Sequence, residues 1–126
     1  IDMHRAAYDL PNRKVALVGF SQGTMMALHV APRRPEILAG VVGYSGMLAD
    51  PEALASEVAT RPPLLLIHGD ADPMVPFAAM GQAQASFQAL NFEVATHAAR
   101  DLGHSIDETG LRLGGDFLAR VLRGSD

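Results

Sequence analysis

The sequence of 126 residues contains no cysteine. That excludes a disulfide framework, a cysteine-based zinc site, an iron–sulfur cluster and a thiol nucleophile. Basic charge is scarce, with 10 Lys and Arg against 14 Asp and Glu and a net charge of −4. Such a balance offers no electrostatic footprint for nucleic acid. No apolar run approaches the roughly 18 residues needed to cross a bilayer. No charged stretch precedes an apolar one at the start, so a signal peptide is not expected and the compartment expected is the cytoplasm. The histidines lack HExxH or HxH spacing and no glycine-rich phosphate loop occurs, so neither metal nor cofactor is expected. Repeats, low-complexity tracts and long linkers are missing as well. What remains is 48% apolar and 19% charged, an ordinary globular composition for one domain over residues 1–126. A chain of this length can bury roughly two thirds of its unfolded surface. It starts at Ile1 rather than methionine, which fits a processed N-terminus or a piece of something longer.

Apolar runs alternate with helix-like segments, the pattern of a parallel sheet with crossover helices. Strands buried on both faces read as continuous apolar runs. Residues 1–9 read as the end of a helix stopped by Leu10-Pro11-Asn12. Strands are expected at Val15–Phe20, Leu38–Tyr44 and Leu64–His68, and a half-exposed edge strand at Phe92–His97. Helices are expected from Ser21 to Val30, from Asp50-Pro51 to Val58, from Phe77 to Leu90 and from Asp107 to Leu122. In the last of these, Leu111, Phe117, Leu118, Val121 and Leu122 fall near one face.

Three segments carry chemistry, each following an expected strand. In open parallel sheets ligands gather outside the carboxyl ends of the strands, so the three are expected to meet. Gly19-Phe20-Ser21-Gln22-Gly23 fits G-x-S-x-G between a strand and a helix. There a sharp turn lifts a serine hydroxyl out of the sheet, and small residues on both sides let the backbones close in. The Gln22 backbone N–H is placed to donate to an oxyanion. His68-Gly69-Asp70-Ala71-Asp72-Pro73 offers two acids in a Gly/Pro-rich loop. Asp70 reads as the turn former, Asp72 as the functional acid and His68 as a packed structural histidine. Leu102-Gly103-His104-Ser105 places a histidine in the loop before the last helix, with Gly103 beside it to let the imidazole in. The order Ser21, Asp72, His104 is nucleophile, acid, base, as in α/β-hydrolases. His4, His29 and His97 sit in no motif, and Ser45 reads as a pocket or turn residue. Most of the six methionines read as core filler; Met47 and Met74, with Val75, are candidates to line an acyl pocket.

Taken together, GFSQGTMMAL, YSGML, HGDADPMVP and LGHS resemble the phospholipase/carboxylesterase family of α/β-hydrolases, which includes the acyl-protein thioesterases. The resemblance runs from about Tyr8 to Leu122. It implies Ser21 as nucleophile, Asp72 as acid and His104 as base, acting on esters, lysophospholipids or protein thioesters without a cofactor. Thr24 stands where many members of that family carry a second glycine; inside a helix, this points to a packing difference. Members of the family also carry an N-terminal half with further strands and a loop that supplies a second oxyanion donor. Only 20 residues precede Ser21, so the expected architecture is the C-terminal part of an α/β-hydrolase. It has about four mostly parallel strands flanked by helices, with the N-terminal strands absent.

The function expected is a serine esterase that cleaves small acyl esters through an acyl-enzyme on Ser21. The alternatives are an acyl-protein thioesterase and a weakly catalytic fragment or pseudoenzyme serving as a binding module. The partners expected are a small-molecule ester and no nucleic acid. The apolar edge at Val15–Phe20 is expected to pair with an N-terminal segment or a second copy, because open strand edges invite pairing.

Overall fold

The computed structural model describes residues 15–124, and the expected helix at residues 1–9 lies outside them. The elements run β1 (Ala16–Phe20), α1 (Gln22–Val30), a 3-10 turn (Ala31–Arg33), β2 (Gly40–Tyr44) and α2 (Pro51–Glu57). They continue through β3 (Leu64–Gly69), α3 (Ala78–Ala89), β4 (Val94–Ala99) and α4 (Glu108–Gly124). The four strands form one sheet in the order β1-β2-β3-β4. Every pairing is parallel, with Ala16 opposite Gly40, Val41 opposite Leu64, and Leu64 opposite Val94.

Alternation along β2 and β3 divides the core in two. Val41, Leu64 and Leu66 point to one face, where they pack with Ala27 and Leu28 of α1, Leu54 of α2 and Phe87 of α3. Val42, Tyr44, Leu65 and Ile67 point to the other, against Phe117 and Val121 of α4. Every residue of β2 and β3 is buried, as strands covered on both faces must be. Asp50 caps α2, its carboxylate accepting from Ala53 N at 3.2 Å, and Pro51 takes the first helical position.

Three expectations change, the first being β2, which starts at Gly40 rather than Leu38. The edge strand starts at Val94 rather than Phe92. Phe92 is drawn instead into the core against Phe87, ring centroids 4.8 Å apart. Leu111 does not join the inward face of α4 but stands 60% exposed. The inward line is Gly110, Gly114, Phe117 and Val121 at helical spacing. Tyr44 donates its hydroxyl to Gly110 O at 2.9 Å, and a Cβ on Gly114 would collide with that same hydroxyl. Glycines thus occupy the sheet-facing side of the first turns, and Leu111, one residue round, faces out.

Among the described residues β1 pairs with β2 alone. Val18 is 57% and Phe20 38% exposed along that edge. No helix among the described residues is long and apolar enough to cross a membrane.

Candidate active site

Ser21 sits between the end of β1 and the start of α1 with φ 56° and ψ −113°. A positive φ at a non-glycine residue costs about 1–3 kcal/mol and persists only where the surroundings impose it. Here Ser21 N donates to Tyr44 O at 2.9 Å, and Ser21 O accepts from Met25 N at 3.2 Å. Tyr44 O also accepts from Thr24 Oγ1 at 2.8 Å, so the turn and the first turn of α1 hang from one carbonyl of β2. Thr24 is fully buried. Gly43 and Gly46 make room for it: a Cβ at Gly43 would come within 2.7 Å of Thr24 Cγ2, and one at Gly46 would strike its Cβ. The threonine is therefore a packing difference, as expected, and it adds a hydrogen bond under the turn.

The two flanking glycines of the motif differ. A Cβ on Gly19 would lie 2.5 Å from Thr24 N and 2.6 Å from Gly23 C, which only glycine avoids. A Cβ on Gly23 would meet nothing within 4 Å among the described residues. The close approach expected on both sides of Ser21 is thus found on one.

His104, in the loop between β4 and α4, joins the other two segments. Its Nδ1 lies 2.8 Å from Asp72 Oδ2 and its Nε2 3.0 Å from Ser21 Oγ. A carboxylate only accepts, so Nδ1 carries the proton; Nε2 of the neutral ring then accepts from the Ser21 hydroxyl. The Phe20 ring lies tilted against the imidazole, centroids 4.9 Å apart. Ser45, fully buried with φ 52°, donates its hydroxyl to Ser105 O at 3.4 Å and ties the end of β2 to the His104 loop.

The Asp72 side chain is fully buried. Its Oδ1 accepts from Met74 N at 2.8 Å and from Val75 N at 2.9 Å. Burial alone would push its carboxyl up. Hydrogen bonds from Val75, His104 and Met74, with the His104 charge, outweigh that and hold it below the usual aspartate value. Asp72 therefore forms the turn of its own loop as well as facing His104. Asp70 stands, as expected, in the turn that Asp72 N closes on Gly69 O at 3.3 Å, and its Oδ1 also reaches across to accept from Asp101 N at 2.8 Å.

The glycine that lets the two loops meet is Gly69 rather than Gly103. A Cβ on Gly69 would collide with the carbonyls of Leu102 and Gly103. One on Gly103 would come no nearer than 3.8 Å to Pro73 Cδ, and no described glycine has a positive φ.

A hydroxyl, an imidazole and a buried carboxylate thus stand in hydrogen-bonded series at the carboxyl ends of β1, β3 and β4. Residues 2–122 match the phospholipase/carboxylesterase family. The chain belongs to that family. It is 33% identical over 103 residues to esterase YpfH of Escherichia coli, covering 82% of this chain and 43% of that protein. To acyl-protein thioesterase 1 of Schizosaccharomyces pombe it is 36% identical over 92 residues, covering 70% and 40%. The crystal structure of esterase PE8 superposes with a TM-score of 0.93 at 38% identity, over 96% of this chain and 56% of that one. The chain spans less than half the length of these two curated relatives. The fold is that of the α/β-hydrolases, in its four-stranded parallel portion.

The remaining expected residues fall around this set. Gln22 opens α1, where backbone N–H groups have no partner within the helix. Met47 lines a cavity of about 160 Å³ with Leu48, Pro51, Ala79 and Gln82. Met74 is 72% exposed, and Val75 is half-buried with its carbonyl 2.9 Å from His68 Nε2. The larger concavities, about 330 and 400 Å³, lie along the two sheet edges, lined in part by Leu17, Val18 and Met26 and by Ala95, His97 and Phe117. Among the described residues no group of three or more His, Asp or Glu side chains is placed to hold a metal ion. His29 is exposed and His97 half-buried on β4; His4 lies outside the described residues.

Sequence reasoning missed one support of the site, Phe20 against the imidazole, and it read Ser45 as a pocket or turn residue and His68 as a packed histidine without their partners in the His104 and acid loops. Phe20 ends β1 and Ser45 directly follows β2, but nothing in the motifs names their partners.

Proposed function

We propose that this chain carries the catalytic serine, acid and base of a serine ester hydrolase. The observation that supports it is the series Ser21 Oγ, His104 and Asp72, joined at 3.0 and 2.8 Å. Ser21 attacks the ester carbonyl while His104 Nε2 takes its proton; Asp72 holds the tautomer and stabilises the imidazolium. The alcohol leaves with that proton, and an acyl-enzyme remains on Ser21. Water, deprotonated by His104, then releases the acid. The Gln22 backbone N–H is the oxyanion donor assigned here. A second donor is worth about 10²–10³ in turnover, so the rate depends on what else faces the site. Met47, Met74 and Val75 are the side chains proposed to contact the acyl group.

The likeness to acyl-protein thioesterase 1 of Schizosaccharomyces pombe favours a second substrate class, a thioester, which passes through the same acyl-enzyme. The experiment is Ser21→Ala in the whole protein, assayed on a short p-nitrophenyl ester and its thioester counterpart. Turnover is expected to fall by on the order of 10⁶, and covalent labelling by a fluorophosphonate to vanish. Hydrolysis that survives the substitution refutes the proposal. A parent protein that neither hydrolyses nor labels points to a binding module instead.

A further inference from the structure

The histidine at the end of β3 is buried, 1% exposed, and the mechanism above does not use it. Its Nε2 lies 2.9 Å from Val75 O. A carbonyl only accepts, so Nε2 carries the proton and donates. The same nitrogen stands 3.4 Å from Asp72 Oδ2, the oxygen that receives His104 Nδ1. Val75 in turn donates its N–H to Asp72 Oδ1. One residue of the loop is therefore tied on its amide side to the acid and on its carbonyl side to His68. Phe77, where the chain leaves the loop, packs edge-on against the imidazole, centroids 6.1 Å apart and planes at 75°.

We propose that His68 is a positioning residue: its Nε2–H clamps the Val75 carbonyl, closes the turn around Asp72 and fixes the carboxylate plane that aims Oδ2 at His104. The inference rests on the hydrolase reading and deepens it. A histidine present only to fill space would be replaceable by any ring of similar size. A positioning histidine is not, because a ring without the N–H leaves the Val75 carbonyl unpaired in the core. The carboxylate can then turn, and displacements of about 1 Å in a catalytic group cost on the order of 10²-fold in rate. The predicted signature is loss of turnover without loss of substrate affinity, since His68 touches the acid loop and not the substrate.

The test compares His68→Phe with His68→Gln in the whole protein, alongside Ser21→Ala. The glutamine Nε2 sits the same number of bonds from Cα as the histidine Nε2 and can donate to Val75 O. Expected are a kcat lowered roughly 10- to 100-fold with KM unchanged for His68→Phe, and recovery to within a few-fold for His68→Gln. Nitrogen NMR of the parent is expected to find the proton of His68 on Nε2, a readout that does not need the phenylalanine variant to fold. A proton on Nδ1 instead, full turnover in His68→Phe, or equal losses in both variants overturns the proposal. If Ser21→Ala is inert while His68→Phe is fully active, the positioning role falls and the hydrolase reading stands. If Ser21→Ala keeps full activity, the hydrolase reading itself has failed.

Discussion

Asp72→Asn keeps the shape of the side chain and removes one acceptor oxygen, and the surroundings make that change severe. Three N–H groups converge on the carboxylate: Met74 N at 2.8 Å and Val75 N at 2.9 Å on Oδ1, and His104 Nδ1 at 2.8 Å on Oδ2. An asparagine offers one carbonyl and one amino group. With its carbonyl in the place of Oδ1 the loop survives, but the amino group faces the N–H of His104. With the amide flipped, the His104 imidazole is satisfied and both loop amides lose their acceptor. The side chain is fully buried, so water cannot repair either arrangement. The less disruptive escape is for His104 to move its proton from Nδ1 to Nε2, so that a donor faces the Ser21 hydroxyl and the base is lost.

That tautomer change is worth about 10⁴ in kcat where an analogous acid has been replaced by its amide, or about 5.5 kcal/mol at 1.36 kcal/mol per tenfold. A donor left unpaired in the core costs a further 1–3 kcal/mol or so of stability. The assay is kcat and KM on a p-nitrophenyl ester, with fluorophosphonate labelling rate measured on the same preparation and thermal unfolding to establish that the variant is folded. Turnover and labelling are expected to fall together, with a modest loss in melting temperature. A folded Asp72→Asn within tenfold of the parent would refute the assignment of Asp72 as the residue that sets the His104 tautomer.

Gly19→Ala should cost about 1–3 kcal/mol or more in urea unfolding, because its Cβ would lie 2.5 Å from Thr24 N and backbone cannot swing aside as a side chain can. Gly23→Ala has open space and should cost clearly less; equal costs would show that crowding is not what requires the first glycine. Asp72 should also impose a pH dependence on stability. Its folded-state value is depressed, so between that value and the ordinary aspartate value the unfolded chain binds more protons and stability rises with pH. The contribution is complete above the ordinary aspartate range and disappears as pH falls through the depressed value. Denaturant unfolding of the parent minus Asp72→Asn should narrow on acidification, and a difference that stays flat would contradict the shift.

What could be read from the sequence was whatever one strand or one motif decides locally. Val41-Val42 and Leu64-Leu65-Leu66-Ile67 are continuous apolar runs, and continuous runs mean strands covered on both faces. The serine turn was legible because strand, turn and helix follow one another within a few residues. Less legible were features fixed by a partner far along the chain. Leu111 has the spacing of an inward residue, yet the line beside it, Gly110 and Gly114, is what the Tyr44 ring selects. The glycine next to His104 looked like the one that admits the imidazole, but the collision that matters is across loops, between Gly69 and the carbonyls of Leu102 and Gly103.

The division of labour between the two aspartates follows the same logic. By local turn chemistry Asp70, directly after glycine, is the better turn former, and Asp72, before proline, is free for other work. The structure keeps Asp70 in the turn that Asp72 N closes on Gly69 O but gives Asp72 a second task, because the proposed acid must itself be immobilised. An aspartate that merely pointed at His104 from a turn built by another residue could rotate about its own side-chain bonds. By accepting from Met74 N and Val75 N with one oxygen, Asp72 makes its loop and its carboxylate plane a single rigid object, leaving the other oxygen for the imidazole. Asp70, besides its place in the turn, clasps with its side chain the turn at Asp101 that leads toward His104. The acid loop and the base loop are thus held together not only through the catalytic hydrogen bond proposed here but also by Asp70 Oδ1 on Asp101 N and by the backbone bonds from Asp70 N to Ala99 O and from Ala71 N to Leu102 O, which take no part in it.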